Sequence, residues 1–249
     1  KWENNYGNKS FFNLLNYIEE INEPPLDLVD LLTKRLIQTS QKDLLIKLKS
    51  ILKKKSPQNL SYKLRQATID STELIGNYED ALKILTEIDK FPNNTLTDTE
   101  RLKFNISNLN FYVGKAKEAL ILLNRLSKTN DHKFLQEILS FKTHVLKYLK
   151  DDDYFYFCDY DNFLSAQELQ APNGWKDLNS FNLDLAKELE KLHVHKKRSY
   201  DQTLRNGTQT PGNLFMNKNY KYKCIFELKN LFDKAIQKYI KKLNYNDEH

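Results

Sequence analysis

The five histidines are the side chains best suited to metal chemistry, because imidazole nitrogens bind divalent ions. Two of them, His193 and His195, stand at alternate positions, and an extended backbone would direct both to one side. The cations that follow, Lys196-Lys197-Arg198, repel a divalent ion, and no histidine of the chain begins a His-x-Asp or His-x-Glu triplet. We therefore interpret the pair as a helix end and expect no metal site in this chain.

The other reactive side chains do not form a recognisable catalytic set. Three adjacent acids, Asp151 to Asp153, do not project to a common point on a regular helix or strand, so they indicate a charged helix end or linker. The two cysteines, Cys158 and Cys224, lack metal-site or disulfide-framework spacing, which favours ordinary thiols in a reducing compartment. The sequence contains no glycine-rich phosphate loop, nucleophile elbow or Cys-x-x-Cys pair. We therefore assign no catalytic residue.

The net charge of +6 raises the question of a nucleic-acid partner. Basic residues are densest from Lys47 to Lys55 and from His193 to Arg198, and neither stretch carries the interleaved aromatics of a single-strand binding platform. We interpret the charge as solvated helix faces, so nucleic acid is not an expected partner. Because no apolar run could span a membrane and no signal peptide opens the chain, we expect a cytoplasmic protein without a membrane partner.

The stretch from Ser199 to Phe215 has a composition that neither helix periodicity nor strand alternation explains. Asn206-Gly207 is a strong turn dipeptide, and Pro211-Gly212 fits the centre of a type II turn. Between the two turns lies Thr208-Gln209-Thr210, a polar segment with strand propensity. From the residues alone, an ordered surface loop that joins two helices explains this stretch equally well.

The same stretch carries a family resemblance. Gln202 to Thr210, with Asn213-Leu214-Phe215 after it, resembles the Q-[ST]-L-R-x-G-T-Q-T…N-L-F signature of 2-oxoglutarate/Fe(II) dioxygenases, whose domain often follows tetratricopeptide-like repeats. Further matches lie upstream in the same order, so that the resemblance covers residues 155 to 245. They are Cys158-Asp159-Tyr160-Asp161, Ala171-Pro172-Asn173-Gly174-Trp175, Ser180-Phe181-Asn182 and Leu192-His193.

The resemblance implies Fe(II) and 2-oxoglutarate as cofactors of a full-length relative, together with a His-x-Asp…His triad that holds the iron. No residue after Phe215 supplies that triad, and the chain begins at Lys1 rather than at a methionine. We therefore expect the N-terminal portion of such a domain, a segment of a longer protein that is inactive by itself. The signature residues would brace the site rather than bind iron, and at least Arg205 and Gln209 should be partly buried. These residues are Gln202, Arg205, Gly207, Thr208 and Gln209.

The elements before the signature are predicted to be helices. Apolar residues recur at helical spacing from Ser10 to Leu149, and two segments, Gly76 to Leu85 and Gly114 to Leu123, are copies at an offset of 38 residues. This period is near that of a tetratricopeptide repeat. In each copy a glycine opens the turn between two helices and a small alanine lets the second helix approach closely. We predict tetratricopeptide-like repeats over residues 1–150, with a plain stacked-helix solenoid as the alternative.

Residues 151–249 are predicted to form a small α+β segment. The aromatic run from Tyr154 to Tyr160 and a second segment within Thr208 to Phe215 are expected to be strands. Amphipathic patterns predict helices from Leu178 to Leu192 and from Lys223 to Asn244. The predicted fold class is therefore mainly α, with a helical-repeat solenoid followed by this small α+β segment.

Three functional hypotheses follow. The first is a helical-repeat region that binds a protein or peptide partner, joined to the N-terminal part of a 2-oxoglutarate/Fe(II)-dependent dioxygenase of the hydroxylase type. The alternative is a non-catalytic tetratricopeptide-like adaptor or scaffold protein that binds a protein or peptide partner. A third possibility, a basic solenoid that binds nucleic acid, would require salt-sensitive retention on heparin.

Overall fold

The structure is a computed structural model that describes residues 7–55, 57–91, 99–128, 134–194, 208–210, 212–219 and 221–243. The chain is mainly helical, as predicted, and it divides into two compact units, Lys1–Cys158 and Asp159–His249. None of the described helices is long and apolar enough to cross a membrane.

The first unit consists of helices that each pack against the next along the chain. Their bounds are α1 (Gly7–Glu20), α2 (Leu26–Gln38), α3 (Lys42–Lys55), α4 (Leu60–Asp70), α5 (Tyr78–Asp89), α6 (Thr99–Tyr112), α7 (Ala116–Leu126), α8 (Leu135–Leu149) and α9 (Asp153–Phe157). Contacts also join α1 to α3, α2 to α4 and α6 to α8, so that alternate helices lie side by side.

The turns between paired helices depend on glycine. Gly76 and Gly114 adopt φ values of +71° and +82°, which L side chains rarely adopt. The amide of Gly76 donates to the carbonyl of Thr72 at 2.8 Å, and the chain then enters α5. The alanines expected at the close approach, Ala81 and Ala119, are fully buried. The predicted glycine turns are confirmed, and both alanines lie in the core.

The core of the first unit follows the helix order in three clusters. The first joins α1 to α4, the second joins α4 to α6, and the third joins α6 to α8. Each cluster is built from the apolar stripes seen in the sequence, and its burial removes the apolar faces of consecutive helices from water. Representative fully buried residues are Leu15, Ile18, Leu45, Leu52, Ile88, Leu123 and Val145.

The second unit is built around two packed helices. Its elements are α10 (Tyr160–Phe163), α11 (Leu178–Leu192), a 3₁₀-helix (Asn217–Asn219) and α12 (Lys223–Lys242). The start of α11 is fixed by a capping box, in which the Asp177 side chain accepts from the Ser180 amide and the Ser180 side chain accepts from the Asp177 amide. The predicted helix from Leu178 to Leu192 is confirmed, and α12 ends slightly before the predicted Asn244.

The two predicted strands, and with them the α+β segment, are wrong. The run from Tyr154 to Tyr160 forms α9 and the start of α10, and the described part of Thr208 to Phe215 has no regular structure. Aromatic residues favour strands only where a neighbouring strand and a packed face receive them. Here Phe155 and Tyr156 are 66% and 79% exposed, and the described residues contain no strand to pair with.

Candidate functional site

A cavity of about 220 Å³ lies between α4 and α6 in the first unit. These two helices are the first members of the successive hairpins α4–α5 and α6–α7, and α5 packs against both. The cavity therefore lies between the first helices of two consecutive hairpins, α4 and α6, and α5 forms part of its wall. Its lining residues are Leu64, Ala67, Thr68 and Ser71 from α4 and its C-terminal cap, Leu85 from α5, and Asn105, Asn108, Leu109 and Tyr112 from α6.

The polar groups of this cavity include both hydrogen-bond donors and hydrogen-bond acceptors, from Thr68, Ser71, Asn105, Asn108 and Tyr112. The Thr68 hydroxyl donates to the Leu64 carbonyl at 3.0 Å, and the Ser71 hydroxyl donates to the Thr68 carbonyl at 2.9 Å. Both hydroxyl hydrogens are thus used within α4, which leaves oxygen lone pairs for a ligand. The Oδ1 atom of Asn108 is buried and has no hydrogen-bond partner among the described residues. An unpaired oxygen that is shielded from water in this way carries a desolvation penalty.

An aromatic ring completes the lining. Tyr112, at the end of α6, is 57% exposed and stacks on Tyr78 with ring centroids 4.9 Å apart and an interplanar angle of 19°. Phe111 contacts the same ring edge-on at 6.0 Å. These contacts already restrict the Tyr112 side chain. A ligand that packs against the ring would therefore cause little further loss of side-chain entropy.

The sequence contains a signal for this cavity that lies outside any catalytic motif. Asn105, Asn108 and Tyr112 lie at i, i+3 and i+7 of one helix, a spacing that places them on one face. The buried face of this helix is mainly apolar and packs into the core. A row of polar side chains on one face therefore indicates that this face borders a cavity or solvent. The partner helix α4 lies about forty residues earlier, and only the fold brings the two together.

The basic stretch of α3 is largely engaged within the molecule. Lys47 approaches Glu19 at 3.8 Å, Lys49 pairs with Asp70 at 2.6 Å, and Lys55 donates to a backbone carbonyl of the first interhelical turn. Asp70 is fully buried, and within the described part of the chain its other carboxylate oxygen has no hydrogen-bond partner. This stretch is therefore a set of interhelical ties as well as a charged surface.

Three of the five predicted signature residues, Gln202, Arg205 and Gly207, lie outside the described residues. The other two, Thr208 and Gln209, are both exposed. The prediction that Gln209 is partly buried is wrong, and its amide needs no protein partner because water solvates it. The Thr208 hydroxyl does have a partner, since its oxygen lies 2.6 Å from Nε2 of His193.

His193 holds the described end of the signature loop. Its Nε2 faces the hydroxyl of Thr208, and its Nδ1 lies 3.1 Å from the hydroxyl of Thr210. Both ring nitrogens are therefore committed to hydroxyl groups. His195 lies outside the described residues, and within the described ranges no three His, Cys, Asp or Glu side chains cluster as metal ligands.

The other matched segments of the resemblance gather around α11 and α12. The Trp175 indole donates to Asp184 at 3.1 Å, packs edge-on against Phe181 at 5.1 Å and receives the Lys223 ammonium 4.6 Å above its ring. Lys187, and after it Trp175, holds the pKa of the Asp184 carboxyl below its usual value. The turn of Pro172-Asn173-Gly174 thus places Trp175 between the two helices.

The segment after the signature is anchored to α12. The Phe215 amide donates to the Asn213 side chain at 2.9 Å, and the Asn219 side chain donates to the Leu214 carbonyl at 2.9 Å. Phe215 packs edge-on against Phe232 of α12. The residues Asn213-Leu214-Phe215 are therefore an ordered turn that docks on α12.

The N-terminus of α12 is capped from α11. Glu188 accepts hydrogen bonds from the amides of Cys224 at 2.9 Å and Ile225 at 3.3 Å, which otherwise have no partner within the helix. Burial, and after it the neighbouring Glu188 carboxylate, raises the pKa of the Cys224 thiol to about 11. Cys224 is therefore a packed, unreactive thiol rather than a nucleophile.

No protein-family model, curated protein or solved structure matches this chain. The resemblance of the signature loop to dioxygenases therefore rests on the residues quoted for it.

Proposed function

We propose that the first unit is a helical-repeat protein-interaction region that binds a peptide segment of a partner in the cavity between α4 and α6. The observation that carries this proposal is the position of the cavity, where the first helices of two consecutive hairpins face each other. Its volume of about 220 Å³ is smaller than the roughly 300–1,000 Å³ of typical small-molecule sites. It has room for a peptide side chain rather than a cofactor.

The repeat interpretation supports the same conclusion. The hairpins α4–α5 and α6–α7 each share a left-handed glycine in the turn, Gly76 or Gly114, and a buried alanine in the second helix, and they contact each other along the chain. Stacked hairpins of this kind form a tetratricopeptide-like solenoid, which offers its aligned first helices as an extended binding surface. The mixed polar and apolar lining of the cavity suits a surface that receives peptide side chains.

We include the second unit in the proposal as the N-terminal portion of a 2-oxoglutarate/Fe(II) dioxygenase-like domain. What supports this is the order of the matched segments and the contacts of Trp175, His193 and Phe215 with α11, the loop and α12. Fe(II) and 2-oxoglutarate would serve a longer relative. The described residues of this chain do not fit an iron site, because both nitrogens of His193 face hydroxyls and no carboxylate joins it. A non-catalytic adaptor is the alternative function.

Peptide display tests the binding function on the full chain. Sequences selected from a random peptide library would be synthesised and titrated against the wild type and two variants. Thr68→Phe places a large ring at the wall of the cavity. Thr86→Phe is its matched control, because Thr86 is also exposed and also donates to the carbonyl four residues earlier, but on α5 and outside the cavity.

We expect the selected peptides to bind the wild type and Thr86→Phe equally. Thr68→Phe should weaken binding by about tenfold or more, since the anchor side chain is excluded from its pocket. Failure to select any peptide, or equal binding to all three proteins, would contradict the proposed function.

A further inference from the structure

We infer that residues 165–171 of the second unit form an open strand-like edge, which pairs with an extended segment of a partner protein. The partner segment carries apolar residues that alternate with acidic ones, and its apolar residues cover the neighbouring face of α12. We call residues 165–171 the edge segment. It lies outside the cavity of the first unit, so the inference goes beyond the proposed function.

The edge segment is extended. The chain makes no turn or bend over residues 164–172, and Leu164 has extended backbone angles, with φ −102° and ψ 143°. Exposure alternates from residue 166 to residue 171, where the even-numbered residues are exposed and the odd-numbered ones are half-buried. A period of two is that of a β-strand with one covered face.

The covered face of the edge segment lies along α12. The Gln167 side chain donates to the carbonyl of Ala235 at 3.1 Å. Just before the segment, the carbonyl of Phe163 accepts from the hydroxyl of Tyr239 at 2.5 Å. Later positions of the segment therefore meet earlier positions of the helix, so the two run antiparallel.

The backbone of the edge segment is not engaged by the rest of the unit. Among the residues that the structure describes, none of the backbone N–H and C=O groups of residues 165–171 takes part in a hydrogen bond. The contact of Gln167 with α12 uses only its side chain. A row of unpaired donors and acceptors on an extended backbone is the feature with which another strand pairs.

The face of α12 beside the edge segment is apolar and uncovered. Phe232, Ile236 and Ile240 recur every four residues, which places them on one face, and they are 41%, 54% and 54% exposed. Tyr239, which holds Phe163, is the i+3 neighbour of Ile236, so this apolar stripe flanks the line of contact. A helix is about 10 Å wide and neighbouring strands are about 4.8 Å apart. The helix therefore has room for a second strand beside the first.

The charge of α12 indicates the charge of the partner. The helix contains six lysines and two acidic residues. Lys234, Lys238 and Lys241 are exposed, and within the described ranges none of them pairs with an acidic side chain. A strand with acidic side chains between its apolar ones complements this charge, whereas a basic strand is repelled.

The test titrates the full chain with the alternating peptide acetyl-Val-Glu-Val-Glu-Val-Glu-Val-amide. The control peptide, acetyl-Val-Val-Glu-Glu-Glu-Val-Val-amide, has the same composition and charge but cannot place all its valines on one face of a strand. Two analogues of the alternating peptide carry N-methyl groups on the valines or on the glutamates, which blocks the N–H groups of one strand edge or of the other. Amide hydrogen exchange of the protein is followed residue by residue by NMR.

We expect the alternating peptide to bind about tenfold more tightly than the control peptide, because only the former pairs with the edge while covering the stripe. It should slow hydrogen exchange at every second amide of the edge segment, since the N–H groups of alternate residues point to the same side of a strand. One N-methylated analogue should lose binding, and the other should keep it.

A matched pair of variants tests the apolar stripe. Ile236→Ala should weaken binding of the alternating peptide about three- to tenfold, because apolar contact is lost. Ile121→Ala is the control, since Ile121 is 52% exposed on α7 of the first unit, and this variant should bind as the wild type does. Both side chains are exposed, so neither substitution empties a core position.

Equal binding of the two peptides, exchange that is unchanged or slowed at consecutive amides, or equal effects of the two variants would overturn the inference. Alternate-residue protection that appears without peptide and grows with protein concentration would assign the edge to a second copy of this chain, and would overturn it too. So would binding to phosphatidylserine vesicles that depends on Ile236 in a protein that does not bind the alternating peptide, since the stripe would then face a lipid surface.

Discussion

The ion pair between Lys49 and Asp70 offers a sharp test of how the first unit is held together. The Lys49 ammonium lies 2.6 Å from the Asp70 carboxylate, which is fully buried, while the lysine side chain is 23% exposed. The Asn77 side chain also donates to the same carboxylate oxygen, at 3.3 Å. The pair therefore ties α3 to the end of α4 and to the turn before α5.

Replacing Lys49 by methionine keeps most of the side-chain volume and leaves a buried carboxylate without its countercharge. Breaking a fully buried pair costs about 3–5 kcal/mol of the free energy of unfolding. The partial exposure of Lys49 lets water screen part of this cost, so we expect a loss of about 2–4 kcal/mol. The double variant Lys49→Met, Asp70→Asn should lose less than the sum of the single losses, because the stranded charge is gone.

The chain provides a closely matched control. Lys63 also pairs with a carboxylate at 2.6 Å in the same unit, but its partner Glu87 is 47% exposed and stays hydrated when the lysine is removed. Lys63→Met should therefore cost less than about 1 kcal/mol. The assay is urea unfolding followed by far-UV circular dichroism. Equal losses for Lys49→Met and Lys63→Met, or additive losses in the double variant, would refute this reasoning.

Three further predictions concern the second unit and the chain as a whole. In a Cys158→Ser variant, the remaining Cys224 should react with a thiol reagent slowly, and its rate should rise about tenfold per pH unit below its raised pKa of about 11; fast labelling at neutral pH would argue against burial. Glu188→Gln should destabilise the unit by about 1 kcal/mol and speed Cys224 labelling, since the charged cap and the carboxylate that raises the thiol pKa are both removed; unchanged unfolding and labelling would contradict the capping role. The chain should neither bind Fe(II) stoichiometrically nor decarboxylate 2-oxoglutarate; turnover above background would show that a triad exists in it.

Helices that carry their own boundaries in the sequence could be predicted, and elements that depend on a distant neighbour could not. For α11, Asp177 and Ser180 form a local capping box and Phe181 begins the apolar stripe, so the bounds follow from residues close together. The aromatic run that begins at Tyr154 has a propensity for strands but no strand beside it. Local propensity alone therefore gave the wrong element.

In the candidate site too, the features set by local sequence could be predicted, and those set by packing between helices could not. The turns at Gly76 and Gly114 follow from a repeated local pattern, and the structure confirms them. The unpaired Asn108 oxygen is a property of packing, because it depends on which groups the neighbouring helices place around it. Catalytic motifs are built from reactive residues, whereas the side chains that line this cavity are neutral and match no such motif.

The ion pairs between α3 and its neighbouring helices weaken the electrostatic field that the positive charges of α3 produce far from the surface. Lys47 and Lys49 each sit beside a carboxylate of another helix, so to an approaching polyanion they are short dipoles rather than isolated charges. The field of a dipole decays faster with distance than that of a single charge, and salt shortens its reach further. The lysine-rich helix α3 therefore attracts a polyanion less strongly than its number of lysines suggests. The charges of Lys47 and Lys49 act mainly within the molecule, where they stabilise the packing of α3 against α1 and α4.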